Sequence, residues 1–126
     1  MSGFKLESPP YLESDLQSAC LEWLQAKRIF AVRVPLGPVL HRLGHGENVR
    51  TFWRKNPLKG FPDCHGILQK KYRGRAFYLE FKSAKGRLTP EQVSWLANLQ
   101  AAGAACAVIR SLRELERIMR EWGELS

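Results

Sequence analysis

The sequence lacks the features that would place it in a membrane or outside the cell. No apolar run approaches the roughly 18 residues that a membrane-spanning helix requires. The first residues, from Met1 to Glu7, lack the apolar stretch of a signal peptide. The three cysteines are an odd number, lie far apart and form no C-x-x-C pair (Cys20, Cys64 and Cys106). We therefore exclude a disulfide scaffold and expect a cytoplasmic protein without membrane contact.

Acidic residues are also scarce. Twelve Asp and Glu stand against twenty Lys and Arg, which gives a formal net charge of +8 and a pI near 9.8. A small, strongly basic protein attracts polyanions, nucleic acid first and an anionic membrane surface second. With 126 residues the chain has room for one modest core, so we expect a single domain over residues 1–126.

Hydrophobic periodicity predicts an α/β protein with the element order α-β-(loop)-β-β-α-β-α. Leu16, Cys20 and Leu24 form one apolar stripe of a first helix, and Phe77 and Leu79 alternate with polar residues as in a strand. A strand-helix-strand unit near the end favours a mixed sheet flanked by helices. The predicted helices span about 10–28, 89–103 and 112–122, and the predicted strands about 29–34, 64–69, 77–82 and 104–110.

The pattern breaks down between residues 37 and 60. This stretch is rich in Lys and Arg, has Glu47 as its one acid and carries the adjacent aromatic residues Phe52 and Trp53. It has neither helical nor strand periodicity. We therefore interpret residues 37–60 as a long basic loop, either functional or a poorly predictable insertion.

Three acids and a lysine stand out by their positions. Asp63 follows Gly60-Phe61-Pro62 at the entrance of a strand, and Glu80 and Lys82 share one face of the next strand. Glu13 lies on the apolar stripe of the first helix, so we expect it to point towards the sheet. Two carboxylates and an ammonium group suit metal-assisted phosphodiester hydrolysis, in which a hard cation such as Mg²⁺ takes oxygen ligands.

Each of these features has an ordinary structural explanation when it is taken alone. Glu80-x-Lys82 on a strand can be a solvated ion pair, and Glu13 can be a first-turn acid favoured by the helix dipole. Gln92 occupies position N3 of a capping box that begins at Thr89. Under that interpretation Gln92 stabilises a helix end and has no role in catalysis.

Taken together, these motifs resemble a known family. The chain is similar to the VRR-NUC (virus-type replication-repair nuclease) family of the PD-(D/E)xK nuclease superfamily, as a stand-alone member. The resemblance covers roughly nine-tenths of the chain and implies a restriction-endonuclease-like fold. It rests on Gly60-Phe61-Pro62-Asp63, on the strand from Phe77 to Lys82, and on Gly86-Arg87-Leu88-Thr89-Pro90-Glu91-Gln92. It continues through the strand that ends at Arg110.

The resemblance also implies roles for individual residues. Asp63 and Glu80 are the expected metal ligands, joined by the backbone carbonyl of Phe81, and Lys82 is the expected catalytic lysine. Glu13 matches the acid of the family's first helix, which acts on the metal directly or through water. Gln92 matches a glutamine near the active site. The implied cofactor is Mg²⁺, with Mn²⁺ able to substitute.

The implied substrate is DNA, cut in a structure-specific way. Branched, flapped and four-way (Holliday) junction DNA are the candidates, in replication, repair or recombination. Lys and Arg residues before and after the carboxylates in sequence are the expected phosphate contacts, which position DNA without reading its sequence. They are Arg42, Arg50, Arg54, Lys55, Lys59, Lys70, Lys71, Arg73, Arg75, Lys85 and Arg87. Phe52, Trp53 and Tyr72 are equally plausible as base-stacking and as structural residues.

Two further hypotheses remain open. The chain can be a non-catalytic nucleic-acid-binding module on the same fold, or a metal-free nuclease that uses His41, His45 or His65 as acid and base. Those histidines do not form a zinc-finger pattern with the cysteines. We also expect a homodimer, because the two-fold symmetry of a four-way junction suits a dimer and four tryptophans are many for so small a core.

Overall fold

The computed structural model of the chain describes residues 12–37, 39–54 and 57–125. It shows an α/β fold with a mixed sheet, as the periodicity predicted. The helices are α1 (Glu13–Ala26), α2 (Pro90–Ala101) and α3 (Leu112–Glu121). The strands are β1 (Ala31–Arg33), β2 (Val39–Leu43), β3 (Arg50–Arg54), β4 (Cys64–Ile67), β5 (Ala76–Phe81) and β6 (Ala105–Ile109).

The main sheet has four strands in the order β1-β4-β5-β6. The pairs β1–β4 and β4–β5 are antiparallel, whereas β5 and β6 are parallel and joined through α2. In the register of β4 and β5, Cys64 lies opposite Leu79 and Gly66 opposite Phe77. Because side chains alternate across a strand, these four residues share one face of the sheet.

That face forms the core with α1 and α3. Phe77, Leu79 and Phe81 are fully buried there, together with the α1 stripe that the sequence predicted. Glu80 lies on the opposite face, where its carboxylate contacts Gln92 of α2. The sheet is thus covered by two helices on one face and one helix on the other. In the described part of the chain, none of the helices is suited in length and hydropathy to crossing a bilayer.

The prediction of an irregular loop at residues 37–60 is wrong in one respect. Strands β2 and β3 form an antiparallel hairpin there, joined by a short 3-10 turn at Gly46–Asn48. The strand pattern was hidden because both faces of the hairpin mix apolar and basic side chains. Leu40 and Arg42 share one face, and Leu43 and Arg50 share the other, so the period-2 contrast is lost.

The start of the first helix also differs from the prediction. Helix α1 begins at Glu13 after an N-cap residue, Leu12, that makes no side-chain capping bond. The predicted helix began at about residue 10, and residues 10 and 11 lie outside the described part of the chain.

A buried glutamate near the chain's end fixes the turn between β4 and β5. Glu124 is almost fully buried, and its carboxylate accepts hydrogen bonds from the backbone N–H groups of Gln69 and Lys70 at 2.9–3.1 Å. Gln69 in turn accepts a bond from the N–H of Phe30, which ties the turn to the segment before β1. Glu124 therefore holds a connection that is 55 residues away in sequence.

We predict that Glu124→Ala lowers the free energy of unfolding by roughly 3 kcal/mol, because two backbone N–H groups lose their charged acceptor. Urea denaturation followed by circular dichroism measures the change. Glu121→Ala is the matched control, since Glu121 is exposed and pairs with Arg117 one helical turn away, an exposed pair that is worth about 0.5 kcal/mol or less. Equal stability of the two variants would contradict the role assigned to Glu124.

Candidate active site

Strand pairing places the two predicted carboxylates side by side. Continuing the β4–β5 register one step beyond the pair Cys64–Leu79 sets Asp63 opposite Glu80. Asp63 Oδ2 accepts a hydrogen bond of 2.9 Å from the backbone N–H of Phe81. Asp63 is therefore held at the end of β4 by the strand that carries Glu80.

Glu80 is in an environment that disfavours its charge. Its side chain is only 2% exposed, and its Oε1 is buried with no hydrogen-bond partner among the described residues. Burial, followed by the hydrogen bond and the charge of Asp63, raises the pKa of Glu80 to about 9. Neither carboxylate can donate while both are ionised, so the contact becomes a hydrogen bond only when a proton is present.

Lys82 and Glu13 form an ion pair at the end of β5. The Lys82 ammonium lies 3.8 Å from Glu13 Oε1, and the lysine is mostly buried. Glu13 is half-exposed at the first position of α1, so it reaches the end of β5 from the rim of the sheet. The acid of the first helix is thus paired with the lysine.

Gln92 caps α2 and also contacts the carboxylate of Glu80. Its Oε1 accepts from the backbone N–H of Thr89 at 2.9 Å, and its own N–H donates to Thr89 Oγ1 at 3.2 Å, which completes the capping box. Its Nε2 donates to Glu80 Oε2 at 3.4 Å. Because the cap uses the amide oxygen, the amide nitrogen is directed at the carboxylate.

The loop that leads into Asp63 is fixed against α2. Phe61 packs edge-on against Trp95 and Tyr78, with ring centroids 5.0 and 5.5 Å apart. The indole N–H of Trp95 donates to the carbonyl of Lys59 at 3.1 Å. These contacts anchor α2, which carries Gln92, to the segment that precedes Asp63.

Gly60 allows this close approach. It has a φ of +85°, and a Cβ atom at this position would lie 2.6 Å from Cβ of Glu91 in the first turn of α2. Only glycine combines the left-handed backbone with the absence of that atom. The glycine of Gly60-Phe61-Pro62-Asp63 thus has a packing role beside the site.

Arg110 is a residue near the site that the sequence did not single out. Its guanidinium donates to the carbonyls of Ser83 and Gly86 at 2.8 and 2.6 Å, so it fixes the turn that directly follows Lys82. Its backbone N–H donates to Glu114. The partners lie 24 and 27 residues away, and no local pattern indicates such contacts.

The predicted DNA-contacting residues lie in three places. All of those that the structure describes are exposed, and Lys55 lies outside the described residues. Three are on the β2–β3 hairpin, and Lys59, Lys85 and Arg87 adjoin the segments that carry the site. Lys70, Lys71, Arg73 and Arg75 lie in or beside the β4–β5 turn, at the opposite end of those strands from Asp63 and Glu80. Proximity in sequence did not bring this last group to the carboxylates.

The donor set fits a hard cation held by few protein ligands. Among residues 12–37, 39–54 and 57–125, no three His, Cys, Asp or Glu side chains form a cluster that could hold a metal ion. Mg²⁺ does not require such a cluster, since it binds through one or two carboxylates and keeps several waters. Two adjacent carboxylates are suited to it, since one has a buried oxygen that accepts no hydrogen bond from the described part of the chain.

The fold and this site define a class of protein: a nuclease-type α/β domain with paired acids and a lysine at one end of a mixed sheet. The family model described as the VRR-NUC domain matches residues 12–112, most of the chain. The chain belongs to the VRR-NUC family, as its motifs indicated. No curated protein matches the chain.

We predict that the free energy of unfolding in metal-free buffer falls as the pH rises towards 9. In this pH range Glu80 keeps its proton in the folded protein but has lost it in the unfolded chain. Its folded pKa of about 9 lies above the ordinary 4.5, so folding takes up a proton between those values. Glu80→Gln removes this dependence. The gain in unfolding free energy of Glu80→Gln over wild type should therefore grow from pH 5 to pH 9, measured by urea denaturation with EDTA present. Parallel pH profiles would contradict the assignment, and exposed Glu121→Gln is the control.

We predict that Gln92→Glu retains the melting temperature within about 2 °C but lowers cleavage at least about tenfold. A glutamate keeps the oxygen that caps α2 but sets a second carboxylate against Glu80, where the amide donated a hydrogen bond. Thermal melting and initial cleavage rates measure the two effects.

Ser111→Ala is the matched control for capping. It removes the side-chain N-cap of α3, which should cost about 1 kcal/mol of stability and leave cleavage unchanged. Undiminished cleavage by Gln92→Glu would restrict Gln92 to its capping role.

Proposed function

We propose that this chain is a Mg²⁺-dependent DNA endonuclease that hydrolyses phosphodiester bonds at an active site formed by Asp63, Glu80 and Lys82. The observation that carries the proposal is that two carboxylates lie side by side, one of them buried with an oxygen to which no described residue donates a hydrogen bond. Two ionised carboxylates this close together, one of them buried, destabilise the fold, so a purely structural role does not explain them. The arrangement would become favourable if the two carboxylates held a divalent cation.

Asp63 and Glu80 would hold the metal, with the carbonyl of Phe81 as a further ligand and Glu13 acting on the metal directly or through water. When bound, Mg²⁺ offsets the charge of the scissile phosphate and lowers the pKa of a coordinated water. Mn²⁺ has similar ligand preferences and should substitute. The bond from the Phe81 N–H keeps Asp63 in place, so the carboxylates need little rearrangement.

Lys82 supplies the positive group of the site. Its ammonium is mostly buried and held by Glu13, which restrains it at the end of β5. From there it can orient the attacking water and stabilise the negative charge that develops on the phosphate. Gln92 holds Glu80 Oε2 through its amide, which fixes the orientation of that carboxylate.

The substrate in this proposal is branched, flapped or four-way junction DNA, bound through exposed Lys and Arg. The net charge of +8 supports affinity for a polyanion without sequence selectivity. A homodimer remains part of the proposal because two active sites suit a two-fold-symmetric junction. The tryptophans give it less support than expected, since Trp23 is buried within its own subunit.

We predict that Asp63→Asn, Glu80→Ala and Lys82→Ala each lower Mg²⁺-dependent cleavage at least about 100-fold, because each removes a group of the reaction centre. DNA affinity should stay within about threefold, since it arises from many phosphate contacts. The assay uses linear, nicked, flapped and four-way DNA, with binding measured separately by fluorescence anisotropy.

Lys70→Ala is the matched control for Lys82→Ala. It removes one cation at the far end of the strands, so it should weaken binding slightly and leave the cleavage step intact. EDTA separates the alternatives: it should abolish cutting and spare binding. Cutting that survives EDTA would favour the histidine mechanism, and binding without any cutting would favour the non-catalytic module.

A further inference from the structure

The two faces of the β2–β3 hairpin differ in how their side chains are used. Leu40 lies opposite Trp53, and the next pair along the ladder is His41 opposite Phe52. Successive residues of a strand point to opposite faces. Trp53 and Phe52 are adjacent in sequence but therefore lie on different surfaces of the hairpin.

On one face the aromatic side chain is already engaged. The rings of His41 and Phe52 stack with centroids 5.5 Å apart and an angle of 16° between their planes. The Arg54 guanidinium lies over the Phe52 ring at 5.2 Å. This cluster accounts for Phe52 as a structural residue of the hairpin.

On the other face an aromatic ring is open. Trp53 is 69% exposed and its cross-strand neighbour Leu40 is 49% exposed. Among residues 12–37, 39–54 and 57–125, Trp53 has no ring contact, cation–π contact or hydrogen bond. We call the pair Leu40 and Trp53 the platform.

The charge around the platform suits a nucleic acid. Residues 39–54 carry Arg42, Arg50 and Arg54 against one acid, Glu47. Arg42 lies on the same face as the platform, opposite Thr51. Arg50 and Arg54 lie on the other face of the hairpin. An open indole that shares its face with an arginine, on a hairpin that is basic as a whole, matches a ligand that has a flat apolar ring beside a phosphate.

We propose that the platform stacks on an unpaired nucleobase of DNA. A base within a duplex has both faces covered by its neighbours, so only an unpaired base presents a free face. The inference deepens the proposed function by naming what marks the substrate: unpaired nucleotides beside a phosphate backbone that Arg42 contacts. It rests on the proposed function only in taking DNA as the ligand.

The test measures binding in EDTA, so that it does not depend on cleavage. Three fluorescently labelled duplexes are compared by anisotropy: one fully paired, one with a short bulge of unpaired thymidines, and one whose bulge consists of abasic nucleotides. The abasic bulge keeps the phosphates and the bend but has no base to stack. Wild type should bind the thymidine bulge about 5- to 100-fold more tightly than the abasic bulge.

Trp53→Ala should remove that preference and leave affinity for the paired duplex within about twofold, while Trp53→Phe should retain most of it. Leu43→Ala is the matched control, because Leu43 is 56% exposed on the opposite face of the same hairpin. It should behave like wild type. Circular dichroism and thermal melting show that each variant is folded.

Three outcomes would overturn the inference: no preference in wild type, a preference that survives Trp53→Ala, or a preference that Leu43→Ala also removes. A fourth contradicting outcome comes from light scattering. If wild type is a dimer and Trp53→Ala is a monomer, the platform is an interface between two copies of the chain. Failure of the proposed function is distinguishable from all of these. A protein that cuts no DNA but still distinguishes the two bulges through Trp53 would leave this inference standing.

Discussion

The antiparallel pairing of β4 with β5 is the constraint on which the candidate site depends. A slip of one residue would turn Glu80 into the core and Phe81 out of it, because strand side chains alternate between faces. The burial of Phe77, Leu79 and Phe81 against α1 and α3 excludes that slip. The same register sets Asp63 opposite Glu80. The apolar core therefore determines which acids meet, although none of its side chains takes part in the proposed chemistry.

The site could be predicted where its signals are local, and not where they depend on distant contacts. Alternation along one strand gave the shared face of Glu80 and Lys82, and a four-residue spacing gave the capping box of Gln92. The additional hydrogen bond from Gln92 to Glu80 depends on where α2 packs on the sheet. Residue spacing in the sequence does not predict that packing. Arg110 and Glu124 act on carbonyl or N–H groups more than 20 residues away. The β2–β3 hairpin was missed because neither of its faces is consistently apolar.

The tryptophans show how composition can mislead. Their number suggested a surplus for contacts between subunits, but three of them are accounted for within the chain. Trp23 is buried in the core, Trp95 is bonded to the Lys59 carbonyl, and Trp122 packs against Phe77 at 5.8 Å. Trp53 alone among them is largely exposed. Aromatic residues can be counted in a sequence, but the strand register must be known before each one can be assigned to a buried or an exposed face.

The acids of the site cannot relieve their repulsion by moving apart. Glu80 lies on a strand whose neighbours Leu79 and Phe81 are fully buried, and Asp63 is tied to the N–H of Phe81. Two ways of neutralising the pair remain: a proton, which the raised pKa of Glu80 reflects, or a cation. The two would compete for the same oxygens, so a divalent cation bound here would release the proton. The affinity for metal would then increase with pH while the metal-free fold becomes less stable. The metal-free site is therefore most stable at low pH, where Glu80 is protonated and its affinity for a metal ion would be lowest.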